Sequence, residues 1–295
     1  SPLWDGAFGK TEKLTFSTEA PSLRELARRE LWLREFSFIR RSAGLIKSHR
    51  CGILKTTLFQ KSKEVRRMIG APQPLVLAKP AAIDTAQAAR YFGARGEPDD
   101  RTMTLLETCA MPLLAAATPR AVWLEADTAA LAEAGILRGG DVMKHLENCP
   151  QAVLLAVTLG PGVDAQIRRA GVGDIAAGVA SDALGSALAE QAADAAEAEL
   201  RQWAAKEGKY LTGRFSPGYG DWDIAVQPLV ANALDTVRRA GLCVTDTNLM
   251  TPRKSVTAIL GVSSHPVKGK LAGCGHCVLR TRCEYRKRGK TCASE

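Results

Sequence analysis

From Gln73 onward, short apolar runs alternate with amphipathic stretches, and residues that start or stop helices mark the boundaries. The run QPLVLAK (73–79) reads as a strand, closed by Pro80. Asp84 stands where an N-cap belongs ahead of a helix over DTAQAARYFG, because its carboxylate can accept from a first-turn N–H that has no other partner. A second helix is predicted from about Asp99 to Ala117, then a strand over AVWLEAD (121–127). Gly139-Gly140-Asp141 leads into a short helix that ends before Cys149-Pro150. AVLLAVTLG (152–160) is apolar without alternation and lies between Pro150 and Gly160, as expected of a central strand buried on both faces.

Residues 186–207 contain neither Gly nor Pro and, if wholly helical, would span about 33 Å. Leu184, Leu188, Ala192, Ala195 and Leu200 give this stretch an apolar stripe, while Glu190, Asp194, Glu197 and Arg201 fall together at helical spacing. Gly208 stops the helix. The segment Arg214-Phe215-Ser216-Pro217-Gly218-Tyr219-Gly220-Asp221 follows, then a helix over 226–240 that ends at Gly241. LCVTDTNLM (242–250) and SVTAILGV (255–262) read as strands joined by a turn at Thr251-Pro252. No internal repeat is present, and the interleaving lacks a regular βαβ spacing, so the predicted fold class is α+β.

The first 67 residues lack this texture. They hold five of the seven Phe and no Tyr, and Ser22 to Phe38 could form a short basic helix. The first methionine is Met68. Residues 1–67 are therefore expected to be either a disordered or non-native extension or a basic arm that docks on a partner. Residues 68–265 are the expected folded domain, and 266–295 a Cys-rich tail.

Charge follows the same division. The chain carries +9 overall, with 16 Lys/Arg against 7 Asp/Glu in residues 1–80 and 8 against 2 in 266–295, so the body between is acidic by 6. A nucleic-acid binder carries its basic stripe on the folded body, so nucleic acid is not the expected partner. No run of 18 apolar residues and no signal-like N-terminal segment occur, so the expected place is the cytoplasm, with no membrane contact.

Cys51, Cys109, Cys149 and Cys243 are isolated, and each reads as a small buried apolar residue. Cys274, Cys277, Cys283 and Cys292 form C-x2-C-x5-C-x8-C, with His276 inside it. Four thiolates in a short basic segment suit a 4Fe-4S cluster, with zinc as the alternative and a metal-free redox pair or inert thiols as the remaining reading. The neighbouring Arg and Lys residues would lower the thiol pKa values. The chain has no C-x3-C-x2-C triad, no G-x-G-x-x-G loop, no P-loop and no D-x-H-x-x-G cobalt-ligating pattern. If cobalamin is involved, another protein carries it.

The motif R-F-S-P-G-Y (214–219), the acidic helix 24 residues upstream and TDTNLMTPRKSVTAILGV (245–262) together resemble the activation domain of cobalamin-dependent methionine synthase. That family has an R-x-x-x-G-Y motif, a preceding acidic helix and a following strand pair. Arg214, Gly218 and Tyr219 match the motif, and Glu190 matches the helix glutamate. The Cys-rich end is similar to that of stand-alone forms of the domain. Two departures stand out: the segment between helix and motif is shorter, and Val267-Lys268-Gly269-Lys270 stands where the family has a later aromatic contact.

The resemblance implies a central twisted, mostly antiparallel sheet with flanking helices. It also implies S-adenosylmethionine as ligand, bound by Glu190, Arg214, Ser216, Gly218 and Tyr219. Arg214 offers a planar fork to the ligand carboxylate, Glu190 can accept from its ammonium, Gly218 permits close backbone approach, and Tyr219 can lie beside the sulfonium. Each residue also has an ordinary reading: a salt-bridged arginine, a solvated glutamate, a type II turn at Pro217-Gly218, a corner-packing tyrosine. The implied function is reductive reactivation of a cobalamin-dependent methionine synthase or related corrinoid methyltransferase, with a ferredoxin or flavodoxin as electron donor and cobalamin carried by the partner. The alternatives are a non-enzymatic corrinoid-protein chaperone with a structural zinc tail, and a basic-tailed zinc protein that binds RNA.

Overall fold

The computed structural model describes residues 71–94 and 97–267. Its strands are β1 (Gln73–Leu75), β2 (Arg120–Asp127), β3 (Gln151–Thr158), β4 (Tyr210–Leu211), β5 (Cys243–Val244), β6 (Met250–Thr251) and β7 (Ser255–Ser263). Five of them form one sheet in the order β1-β2-β3-β7-β4, antiparallel at every step, while β5 and β6 pair as a separate small hairpin. The helices are α1 (Thr85–Phe92), α2 (Asp100–Ala116), α3 (Thr128–Glu133), α4 (Gly140–His145), α5 (Pro161–Gly173), α6 (Ile175–Lys206), α7 (Gln227–Ala233) and α8 (Thr236–Arg239), with a 3-10 turn at Ile224–Val226. The fold is α+β, with a central antiparallel sheet and flanking helices, as predicted.

Both faces of the sheet are covered, which explains why β3 has no polar alternation. Val153, Leu155 and Val157 pack with α1, α2, α5 and α6 through residues such as Leu106, Leu113, Val163, Leu184 and Leu188. The intervening Ala152, Leu154 and Ala156 pack with α3, α4 and α7 through Leu131, Val142, Val230 and Trp222. Successive side chains of a strand point to opposite faces, so a strand buried on both sides must be apolar throughout. Asp84 caps α1 as expected, accepting from Gln87 N–H at 2.8 Å, and Asp99 likewise caps α2, accepting from Thr102 N–H at 2.7 Å. Among the described residues, no helix is long and apolar enough to cross a membrane.

Several elements depart from the sequence reading. The long helix begins at Ile175, eleven residues before the Gly-free stretch, and runs through Gly178 and Gly185. These glycines make room. A Cβ on Gly178 would lie 2.6 Å from the Gly171 Cα of α5, and one on Gly185 would lie 3.0 Å from Lys254 Cε. Ala195, placed in the apolar stripe, is exposed, and its neighbour Ala196 is buried instead. The helix predicted over 226–240 is broken, because Asp235 adopts a left-handed backbone (φ 50°) between α7 and α8. LCVTDTNLM does not pair with β7. It folds on itself as the β5–β6 hairpin, where Thr245 N–H donates to Leu249 O at 2.8 Å. QPLVLAK is a strand only over its first three residues. Helices α3 and α5 were not foreseen. Of the isolated cysteines, Cys149 is buried, Cys109 is half-buried and Cys243 is exposed, so the buried reading fails for Cys243; Cys51 lies outside the described residues.

Candidate functional site

The arginine of the R-x-x-x-G-Y motif reaches its position through a bulge in the edge strand. Tyr210 and Leu211 pair with Ser263 and Val262, and pairing resumes at Phe215 opposite Ile259. From Leu211 to Phe215 is four residues, whereas from Val262 to Ile259 is three, so one residue is extra. Since facing alternates along a strand, one extra residue reverses the side on which everything after it points. Leu211 faces the cluster under α6, and Phe215, after the bulge, faces the opposite cluster. Arg214 is thereby turned towards α6.

There it meets the acidic row anticipated from helical spacing. Arg214 Nη2 donates to Asp194 Oδ1 at 2.6 Å and to Glu190 Oε2 at 3.3 Å, and Nη1 lies 3.2 Å from Glu197 Oε2. The last contact is an ion pair without hydrogen-bond geometry, and Nη1 is buried with no hydrogen-bond acceptor. The arginine side chain is 17% exposed, against 66% for Asp194 and 38% for Glu190. Burial raises the Glu190 pKa above the ordinary carboxylate value. Attraction to Arg214 opposes that rise, and the charge of Asp194 adds to it. Glu197 also binds Arg201, whose Nη1 and Nη2 donate to the carbonyls of Leu211 and Thr212 at 2.9 Å each. Arg214 is thus an ion-paired side chain, as its ordinary reading has it.

Beyond Arg214 the chain makes the expected turn. Tyr219 N–H donates to Ser216 O at 3.1 Å, and Gly218 has φ 90°, the left-handed third position that a type II turn requires. Ser216 contributes its carbonyl to this turn. Gly218 N–H donates to Trp222 O at 2.7 Å, which ties the turn to a fully buried indole. Tyr219 is 61% exposed, so it is not a corner-packing aromatic but an accessible ring. The next residues dock on α4. The Asp221 carboxylate accepts from Gly140 N–H at 2.7 Å and Asp141 N–H at 2.9 Å, and these bonds hold its pKa below the usual range.

A second cation, from the segment just before β7, packs on the same helix nearer its N-terminus. Lys254 donates to Ser186 Oγ and forms an ion pair with Asp182, both at 2.9 Å, one and two turns before Glu190. Burial lowers its pKa, and Asp182 works against that shift. The structure thus brings Glu190 and Arg214 together, with Ser216, Gly218 and Tyr219 in the adjoining turn. The sequence reading did not assign site roles to Asp194, Glu197, Lys254 or His145. The first two were visible in the helical spacing. His145 carried no signal, since its contacts with Thr212 and Gly213 span 67 and 68 residues.

Cys274, Cys277, Cys283 and Cys292 lie outside the described residues, and among the described ones no group of His, Cys, Asp and Glu could hold a metal ion. No family model and no curated protein matches the chain. Among solved structures it is similar to the MetH reactivation domain bound to AdoHcy, with 15% identity and a TM-score of 0.48, over 76% of this chain and 87% of that one. A likeness of that degree says nothing of ligand or activity, and the site is read from this chain's own residues.

Proposed function

We propose that the face of α6 around Glu190, together with Arg214 and the turn at 216–219, binds S-adenosylmethionine, and that the protein serves reductive reactivation of a cobalamin-dependent methionine synthase or related corrinoid methyltransferase. The observation that carries this reading is the exposed partner of Arg214. Its Nη1 meets Glu197 only as an ion pair at 3.2 Å without hydrogen-bond geometry, and its shortest bond goes to Asp194, which is largely open to water and can be exchanged at little cost. A ligand carboxylate can displace Asp194 and take the guanidinium fork, and the freed acidic row then faces the ligand ammonium. Tyr219 supplies a ring beside the bound sulfonium. The chain's contribution to methyl transfer is positional: it holds the methyl donor at a fixed place against the partner's corrinoid.

The four tail cysteines belong to this reading as the holders of a 4Fe-4S cluster, which would supply the low-potential electron, with zinc as the alternative. A ferredoxin or flavodoxin would be the upstream donor. A second reading, a corrinoid-protein binding subunit that takes no S-adenosylmethionine, is favoured by the three carboxylates already on Arg214. A reactivation assay separates the two. A methionine synthase arrested in the cob(II)alamin state regains turnover when this chain, S-adenosylmethionine and a low-potential reductant are all present. Recovery that is indifferent to S-adenosylmethionine would support the binding subunit instead.

A further inference from the structure

We propose that His145, at the C-terminal end of α4, is the positioning residue of Arg214, holding the strand bulge that turns the arginine onto α6; this rests on the reading of Arg214 as the ligand-binding arginine. At the bulge, the side chain of Thr212 stands in for main chain: its Oγ1 accepts from Gly261 N–H at 2.8 Å, while Thr212 N–H donates to Gly261 O at 3.0 Å. The carbonyls that follow are taken by side chains. Thr212 O accepts from Arg201, and Gly213 O accepts from His145 Nε2 at 2.9 Å and from Thr212 Oγ1 at 3.0 Å. A carbonyl has no proton to give, so Nε2 must carry the hydrogen, with Thr212 Oγ1 also 3.0 Å away. Nδ1 is then bare, and it is buried without a hydrogen-bond partner.

His145 grips the chain on both sides of Arg214. Its ring stacks on Phe215, the next residue, with centroids 5.1 Å apart and planes at 24°. Phe215 stacks in turn on Trp222 at 5.9 Å and 14°, and Trp222 Nε1–H is anchored on Ile136 O at 2.8 Å. The column continues to the turn, because Trp222 O accepts from Gly218 N–H. One buried side chain therefore fixes the carbonyl before Arg214 by a hydrogen bond and the ring after it by stacking. Without His145 the only donor left on Gly213 O, among the described residues, is Thr212 Oγ1 of the same edge segment, so the extra residue can be taken up elsewhere along the edge, and a shift of one residue sends Arg214 to the opposite face.

The test compares three full-length variants. His145→Phe keeps a ring over Phe215 and removes the donor. His145→Gln restores an N–H donor. Val142→Ala opens a cavity in the same helix at a fully buried position and serves as a control for lost stability alone. Two readouts are taken: calorimetric affinity for S-adenosylmethionine, and the 15N-edited NMR signal of the Arg214 Nε–H, assigned by its loss in Arg214→Lys. His145→Phe is expected to weaken binding about tenfold, the scale of one lost hydrogen bond, and to move the Arg214 signal to the solvent-exposed position. His145→Gln, which restores the donor but not the ring, should recover part of both, and Val142→Ala should lower the melting temperature while changing neither. An Arg214 signal unmoved in His145→Phe, or moved equally in Val142→Ala, would overturn the proposal. A wild-type chain that does not bind S-adenosylmethionine would sink the functional reading instead, and the NMR comparison would still decide the role of His145.

Discussion

Asp194 and an incoming carboxylate compete for the same nitrogen of Arg214, so the charges around that side chain give the most specific residue-scale expectations. Asp194→Asn removes the competitor and should tighten S-adenosylmethionine binding a few-fold, about the value of one exposed ion pair. Glu190→Gln should weaken binding, because it removes the ammonium's acceptor; calorimetry on the two variants reads both signs. The pH dependence follows from Glu190. Its folded pKa is raised by burial, so the carboxylate is lost at a higher pH than an ordinary glutamate, and affinity should start to fall on acidification before free carboxylates titrate. The turn at 216–219 was legible because Pro217-Gly218 leaves few local conformations, whereas the site roles of residues 214–219 were legible only through the family resemblance. The grip of His145 on Gly213 was not legible, since nothing in the sequence around His145 points 68 residues ahead.

Helix α6 was legible where its alanines are unbroken and illegible where its glycines fall, and the reason is the same in both halves. Small residues mark a helix face pressed against a neighbour, and at Gly178 the neighbour is the backbone of α5 at Gly171. Gly178→Ala gains about 1 kcal/mol of helix propensity but forces overlap with that backbone, an overpacking cost of about 1–3 kcal/mol. The variant should melt lower than wild type, and a higher melting temperature would show that the helices can separate freely. The break at Asp235 was hidden for a different reason: the apolar period runs on through Val237, which the structure leaves 63% exposed. At α4, the Asp221 carboxylate does the work of an N-cap from a distant loop. Its folded pKa is depressed, so its stabilisation is present above the ordinary carboxylate value and is lost as pH falls through the folded one. Asp221→Asn should lower the melting temperature at neutral pH, and the difference from wild type should shrink as pH falls below the ordinary carboxylate range.

At the scale of the whole molecule, the uninterrupted apolar runs at 121–124 and 152–157 made the doubly covered sheet readable, because only burial on both faces removes the alternation. The strand order was not readable, since the pairing of β7 between β3 and β4 is a matter of long-range contacts. Residues 1–67 lack a sustained apolar period that would anchor them in a core, so a chain lacking them should melt at the same temperature as the full one. Differential scanning calorimetry checks this. The tail bears on the electron-transfer half of the proposal, and a 4Fe-4S cluster held by its four cysteines should give broad visible absorption, at about 400 nm, that bleaches on reduction. The central claim, however, is that Arg214 binds the carboxylate of S-adenosylmethionine, and titration calorimetry of that ligand into the wild type and Arg214→Ala tests it most directly. The account predicts saturable one-to-one binding that Arg214→Ala weakens by about 2–4 kcal/mol, with Arg214→Lys between the two because an ammonium cannot reproduce the fork. Equal affinity in wild type and Arg214→Ala, alongside a lowered melting temperature in the variant, would make Arg214 a structural clamp and contradict the account.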